Sequence, residues 1–450
     1  AFGQCSSLIK IEIPSLVTSI SDHLFDGCLS LIEISIPSFV TELGQYSFGK
    51  CSSLKKFSIP DSITSIPDFL FSQCTSLTEI IIPSSVTTIG KYAFNECSSL
   101  LNLSIPSSVF KICDNIFNNC SSLVQVIIPT SITEIGVGIF MGCSSLTKMV
   151  IPSIGSSVGN YFFCGCSLLS EVTIPFTMTS IESYAFDSCK SLKKIIIPKS
   201  ITFIGSFAFK GCSSLAEIIF ENPSSLSKIG DRAFQSCSSL QNLLIPLHVT
   251  NIGYAVFALC DSLKEIDIPS SVRSIEDDAF HGCSLLKQIT IPSSVTFIGK
   301  SAFCQCESLI DISIPSSVCT IGSSAFKECL SLKQISIPSS ITSIESNVFN
   351  RCESLKEITI PSSITSIGDY SFSRCLLLSK IIFELPSSVI LIGDYAFAGC
   401  SSLNNISIPS PVILIGNNAF SECIFLTQIT IPSSVKEIGN FAFKGCISLD

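Results

Sequence analysis

The strongest constraint on this chain is a cysteine that returns every 23 residues without losing phase. From Cys5 the series runs Cys28, Cys51, Cys74 and on to Cys212 at intervals of 23. After one 25-residue step it resumes at Cys237 and holds to Cys375, and after a second such step it closes on Cys400, Cys423 and Cys446. Three residues before each of these twenty cysteines stands a Phe, from Phe2 to Phe443, and three after each stands a Leu, from Leu8 to Leu449. The unit reads C-S-S-L-x-x-I-x-I-P-S-S-V-T-S-I-G-x-x-A-F-x-x. A phase held this long marks a repeat architecture, in which each unit packs only on its neighbours and added length means added coils.

Each column has a physical reading. In the L-x-x-I-x-I stretch, as at Leu332, Ile335 and Ile337, alternating β-branched residues suit a short strand with one face buried. Pro338 follows, and a proline with no N–H to give the ladder ends the sheet there in nearly every repeat. Ser-Ser and Gly supply turn chemistry, and A-F-x-x-C is too short for more than a turn or so of helix. The expected fold is a repeat solenoid: a parallel β-sheet with short turns or short helical turns on the return side.

Composition removes several functions. Net charge is −9 with no basic cluster, which argues against nucleic acid or anionic lipid as the ligand. Mean hydropathy is high at +0.57. Yet no apolar run approaches the roughly 18 residues of a spanning helix, so no membrane insertion is expected within this segment.

The L-x-x-I-x-I strand is similar to the core of leucine-rich repeats, and the continuation I-P-S-S-V-T-S-I-G-x-x-A-F-x-x-C-S-S-L resembles the BspA-type subclass over the whole chain. That resemblance implies a non-enzymatic adhesion protein or surface antigen, at the cell surface or outside the cell, with an extracellular-matrix or host-cell protein as partner. The alternative is a cytoplasmic leucine-rich-repeat scaffold for protein–protein interaction. Where ordinary leucine-rich repeats carry a ladder Asn, this chain mostly has Ser, as at Ser85, Ser294 and Ser363, and Leu16, Phe39, His248 and Pro411 break the column.

Chemistry has little to work with. In a stacked ladder the Cβ vectors run parallel instead of toward each other, so the column cysteines are expected as free buried thiols. Cys113, Cys164, Cys304 and Cys319 lie outside the column, and the C-x-C pairs at Cys164 and Cys304 lack the second motif a zinc site wants. His23, His248 and His281 are many coils apart and form no triad, and His248 reads as a hydrogen-bonded turn residue. No catalytic, metal or cofactor site is expected. Sequons stand at Asn102, Asn119 and Asn405.

Counting from each column Cys, positions +5 and +7 should point outward, since the apolar residues at +3, +6 and +8 point in. Position +5 is polar throughout: Lys10, Glu33, Lys56, Glu79, Asn102, Gln125, Lys148, Glu171, Lys194, Glu217 and onward to Gln428. Position +7 reads Ser35 and Ser58 early and Thr290, Ser313, Ser336 and Thr359 late, but between them it carries Ile81, Ile127, Val150, Ile196, Ile219 and Leu244. This apolar stripe over about seven adjacent coils, flanked by Lys148, Glu171, Lys194 and Glu217, is the expected protein-binding site.

Two coils carry two extra residues, Phe220-Glu221-Asn222-Pro223 and Phe383-Glu384-Leu385-Pro386, expected as small bulges at one rim. After Cys143 the interior Val column holds Gly155, with Ile154 and Val158 out of phase, which suggests a soft spot. The chain is expected to be one solenoid over 1–450, of about twenty repeats, cut mid-repeat at both ends.

Overall fold

Alternation decides the first strand of every coil. The computed structural model describes residues 1–153 and 155–450, and the chain divides into two compact units, Ala1–Leu226 and Ser227–Asp450. In the first unit ten main strands run from Lys10–Glu12 to Glu217–Phe220, each starting at position +5. Nine second strands, Ser19–Ile20 to Phe203–Ile204, occupy +14 and +15. All pairings are parallel with partners 23 residues apart, as in Lys56↔Glu79 and Ser58↔Ile81. The second unit repeats the plan, with nine main strands from Asn242–Leu244 to Gln428–Thr430 and ten second strands. This is a leucine-rich-repeat β-solenoid with turns, and no helix occurs among the described residues.

Burial follows the pleat. Most main strands read exposed–buried–exposed, as at Gln125–Ile127, so +5 and +7 face outward as expected. Inside, the −3 Phe rings stack at 5.1–5.9 Å between centroids in the first unit, a spacing at which offset aromatic pairs attract. Beside them the column thiols form no disulfides, and all but the terminal Cys5 and Cys446 are buried. The column thiols from Cys28 through Cys212 and from Cys260 through Cys446 each donate to the carbonyl oxygen of the Phe in the coil before, as Cys74 Sγ to Phe48 at 3.1 Å and Cys306 Sγ to Phe280 at 3.3 Å. The ladder replaces disulfides with S–H···O contacts that need no sideways reach.

The segment before each Cys is a turn held to its neighbour. In one coil His23, Phe25 and Gly27 donate their N–H groups to Gln45, Ser47 and Gly49 of the next at 2.8–2.9 Å. Residues at −5 and −1 adopt left-handed φ, as Tyr46 at 54° and Gln73 at 64°. Alternating right- and left-handed residues aims alternate N–H groups along the stack, so the backbone stays satisfied without a helix.

The Ser column forms bonds in runs. Ser62, Ser85, Ser108 and Ser131 in the first unit each donate to a carbonyl of the previous coil at 2.5–2.8 Å. Ser271 to Ser363 do so in the second. His248 lies in the turn expected there, which Val249 N–H closes by donating to Pro246 O at 3.1 Å, but its exposed side chain makes no hydrogen bond among the described residues and does not join the Ser column. A correction concerns Val158. It is fully buried and pairs with Ile181 in the second-strand register, because +15 is the column it belongs to. Ile154 lies outside the described residues.

Candidate functional site

The outward main face of the first unit is built by the +5 and +7 columns. Along +5, lysine and glutamate from adjacent coils meet as exposed ion pairs: Lys10–Glu33 2.8 Å, Lys56–Glu79 2.8 Å, Lys148–Glu171 2.8 Å and Lys194–Glu217 2.9 Å. The hydrogen bond to Glu33 raises the Lys10 ammonium pKa, and that to Glu79 raises the Lys56 one. Exposed pairs of this kind contribute little to stability, so their regular alternation shapes the surface more than it holds the fold.

Along +7, Ile81 is 62 % exposed, Ile127 58 %, Val150 71 % and Ile196 47 %. Ile219, next to Ile196 in the strand pair, is only half-buried in contrast to these open positions, since the chain continues at once into the inserted Phe220–Pro223 turn. The stripe is less continuous than the expectation of adjacent coils: Ser104 separates Ile81 from Ile127, and Thr173 separates Val150 from Ile196. Two neighbouring apolar pairs result, Ile127 beside Val150 and Ile196 beside Ile219. In the second unit Leu244 is 65 % exposed and its strand pairs with one ending in Asp267, so the +7 column there turns polar at once.

Two of the grooves on the first unit's face follow its apolar positions. One of about 380 Å³ lies along Gln125, Ile127, Lys148, Val150 and Glu171. The other, about 670 Å³, is lined by Glu171, Thr173, Lys193, Lys194, Ile196, Pro198 and Glu221. Its wall comes from the insertion, which is pinned because Lys199 N–H donates to Glu221 Oε2 at 3.3 Å. The second insertion uses the same device, Ser362 N–H to Glu384 Oε2 at 3.2 Å. No group of three or more His, Cys, Asp or Glu among the described residues could hold a metal ion.

Sequence reasoning missed a second surface feature. The left-handed −5 column carries stacked rings in the first unit: His23, Tyr46, Phe69 and Tyr92 at 4.4–4.8 Å, and Tyr161, Tyr184 and Phe207 at 4.6–4.7 Å. Asn115 Nδ2 donates to the Tyr92 hydroxyl at 3.1 Å and ends the first run. In the second unit Tyr370 stacks on Tyr395 at 4.6 Å. The rings cover each other's faces, so the column presents edges and hydroxyls. Reading the fifth residue before each Cys as a column of its own would have found it.

The model of the BspA type leucine rich repeat region, in six copies, matches residues 1–98, 42–170, 156–287, 273–385 and 382–450, which together span the chain. The chain belongs to the BspA-type leucine-rich repeat family. A solved leucine-rich repeat protein from Bacteroides ovatus ATCC 8483 is 32% identical, covers 79% of this BspA-type chain and 88% of its own, and has a TM-score of 0.65. A leucine rich cell surface protein from Faecalibacterium prausnitzii A2-165 is 30% identical over 83% of this chain and 87% of its own, with a TM-score of 0.40. No curated protein matches the chain. As in the rest of the described BspA-type coils, no helix is long and apolar enough to cross a membrane.

Proposed function

We propose that this chain is a non-enzymatic adhesion protein and surface antigen that contacts other proteins through the main sheet of its first unit. The observation that supports this reading most is the exposure of Ile81, Ile127, Val150 and Ile196 on a face otherwise solvated by Lys–Glu pairs. Solitary exposed apolar residues are ordinary, but a row of them on rigid strands with a polar surround is the composition of a protein contact. Family membership supports a binding scaffold, and extracellular-matrix or host-cell protein is the partner class we assign to it.

The test uses the two most central residues. Ile219 is a poor choice because its half-buried side chain ties it to the insertion; Ile127 and Val150 point freely outward. Ile127→Asp with Val150→Asp is expected to reduce binding to surfaces coated with matrix proteins at least about tenfold, the scale of a lost interface core, with an unchanged circular dichroism spectrum. Unchanged binding would remove this face from consideration. Membrane-impermeant biotin applied to intact source cells should label the chain and spare a cytosolic control; a chain found only with that control would favour the cytoplasmic scaffold.

A further inference from the structure

We propose that in the free protein the first unit's main face is closed by the same face of a second copy of this chain, docked antiparallel about a two-fold axis passing between Ile127 and Val150, a weak association that a matrix or host-cell protein displaces. This rests on the reading of that face as a protein contact surface and names its occupant. An axis lying in the face along the strand direction reverses the order of the coils while preserving strand direction. It therefore lays each column on its own copy, as an isologous contact requires.

Under that operation both columns match themselves. Along +7, Ile127 meets the second copy's Val150, Ser104 meets its Thr173 and Ile81 meets its Ile196, apolar on apolar and hydroxyl on hydroxyl; only the outermost coil breaks the match, with Ser58 against the half-buried Ile219. Along +5, Glu79 meets the second copy's Lys194 and Lys56 meets its Glu217. The intrachain pairs Lys56–Glu79 at 2.8 Å and Lys194–Glu217 at 2.9 Å thus face each other as squares of alternating charge. Nearer the axis Gln125 meets Lys148 and Asn102 meets Glu171, again without like charges opposed. Alternating charge alone would tolerate several registers. The apolar column selects this one, because it pairs all four open apolar residues with one another.

The face suits the contact. Main strands pair two by two, as at Lys148↔Glu171, and coils are also joined on second strands and in the turns, as at Ser157↔Ser180 and Tyr161 N–H to Ser183 O at 3.1 Å; the axis passes between Gln125–Ile127 and Lys148–Val150, which belong to separate strand pairs. The groove along Ile127 and Val150 gives the central side chains room to interdigitate. Eight coils at about 4.8 Å by about 15 Å of width would bury about 1,200 Å² over both copies, the lower end of specific interfaces.

Sedimentation equilibrium of the full chain over about 1 to 100 µM should show the mass rise from 48.3 kDa toward twice that value. Glu79→Lys and Lys194→Glu should each weaken association at least about tenfold, since each sets two like charges against each other across the axis. An equimolar mixture of the two variants should associate again, because each then supplies the charge its partner lacks. A chain that stays at one copy throughout, or a mixture as weak as either variant alone, overturns the proposal. If the chain stays at one copy while Ile127→Asp with Val150→Asp still abolishes binding to matrix-coated surfaces, the contact surface stands and only the second copy falls. If those substitutions change neither association nor matrix binding, the contact surface itself falls.

Discussion

At the scale of the residue, the column thiols set how the protein responds to alkali. Burial pushes the Cys120, Cys260 and Cys400 thiols from an ordinary value of 9.0 up to about 12, because a thiolate in the Phe-lined interior would lose its water. In the unfolded chain the same thiols ionise near their ordinary value. Below that value both states hold the proton and the stability is complete. Between pH 9 and 12 the unfolded state releases protons that the folded state keeps, so stability falls as pH rises. The loss should be of order 1 kcal/mol per column thiol by about pH 10, read as a drop in the urea midpoint between pH 8 and pH 10; a flat midpoint would contradict it. Over the same range a maleimide should find the exposed Cys5 and Cys319 first.

At the scale of the coil, two backbone positions carry opposite demands. Gln73 holds a left-handed φ of 64°, a conformation that costs an L side chain of order 1 kcal/mol, and Gly27, Gly142 and Gly211 hold the equivalent place elsewhere. Gln73→Gly should therefore raise stability by a few tenths to about 1 kcal/mol, the backbone entropy of glycine offsetting part of the gain. Gly299 has no left-handed φ; a Cβ there would stand 2.4 Å from Asp277 N and 2.5 Å from Glu276 C of the preceding coil. Gly299→Ala should cost about 1–3 kcal/mol by overpacking against backbone. Thermal or denaturant midpoints check both signs, and a stabilising Gly299→Ala or a destabilising Gln73→Gly would break the assignment. The strands were legible in the sequence because their period-2 alternation repeats in every coil, and Pro338 and its equivalents mark where each ends. The turn was expected, but its left-handed places were not legible, since they hold Tyr, Asn, Ser or Arg indifferently and the stack, not the side chain, sets their φ. Val158 was misjudged by reading Gly155 as a slip, when the register beyond it is intact.

At the scale of the whole molecule, the column phase runs from Cys212 to Cys237 with only two residues added. On that we propose 1–450 as one domain: hydrogen exchange under guanidinium should release the main-strand amides of both units in one concerted step, and two separate midpoints would divide the domain. The candidate site was half legible. Outward direction followed from alternation, and the interruptions at Ser104 and Thr173 stand in the sequence as written. The partial burial of Ile219 depends on how the inserted turn folds back, which no single-residue pattern carries. One further property follows from parallel pairing at a spacing of 23 residues, seen at Lys10↔Glu33 as at Asn405↔Gln428. Because each coil leaves at the place where the next begins, excising 23 codons joins two ends that already fit. Replication slippage by one whole repeat would thus pass unnoticed by the fold, whereas a smaller in-frame change is absorbed only where a turn can take it up, as the two-residue insertion before Leu391 is, with Ser366↔Leu391 pairing 25 residues apart. Copy number is a heritable variable that this backbone tolerates, and it sets how many rungs a lineage displays.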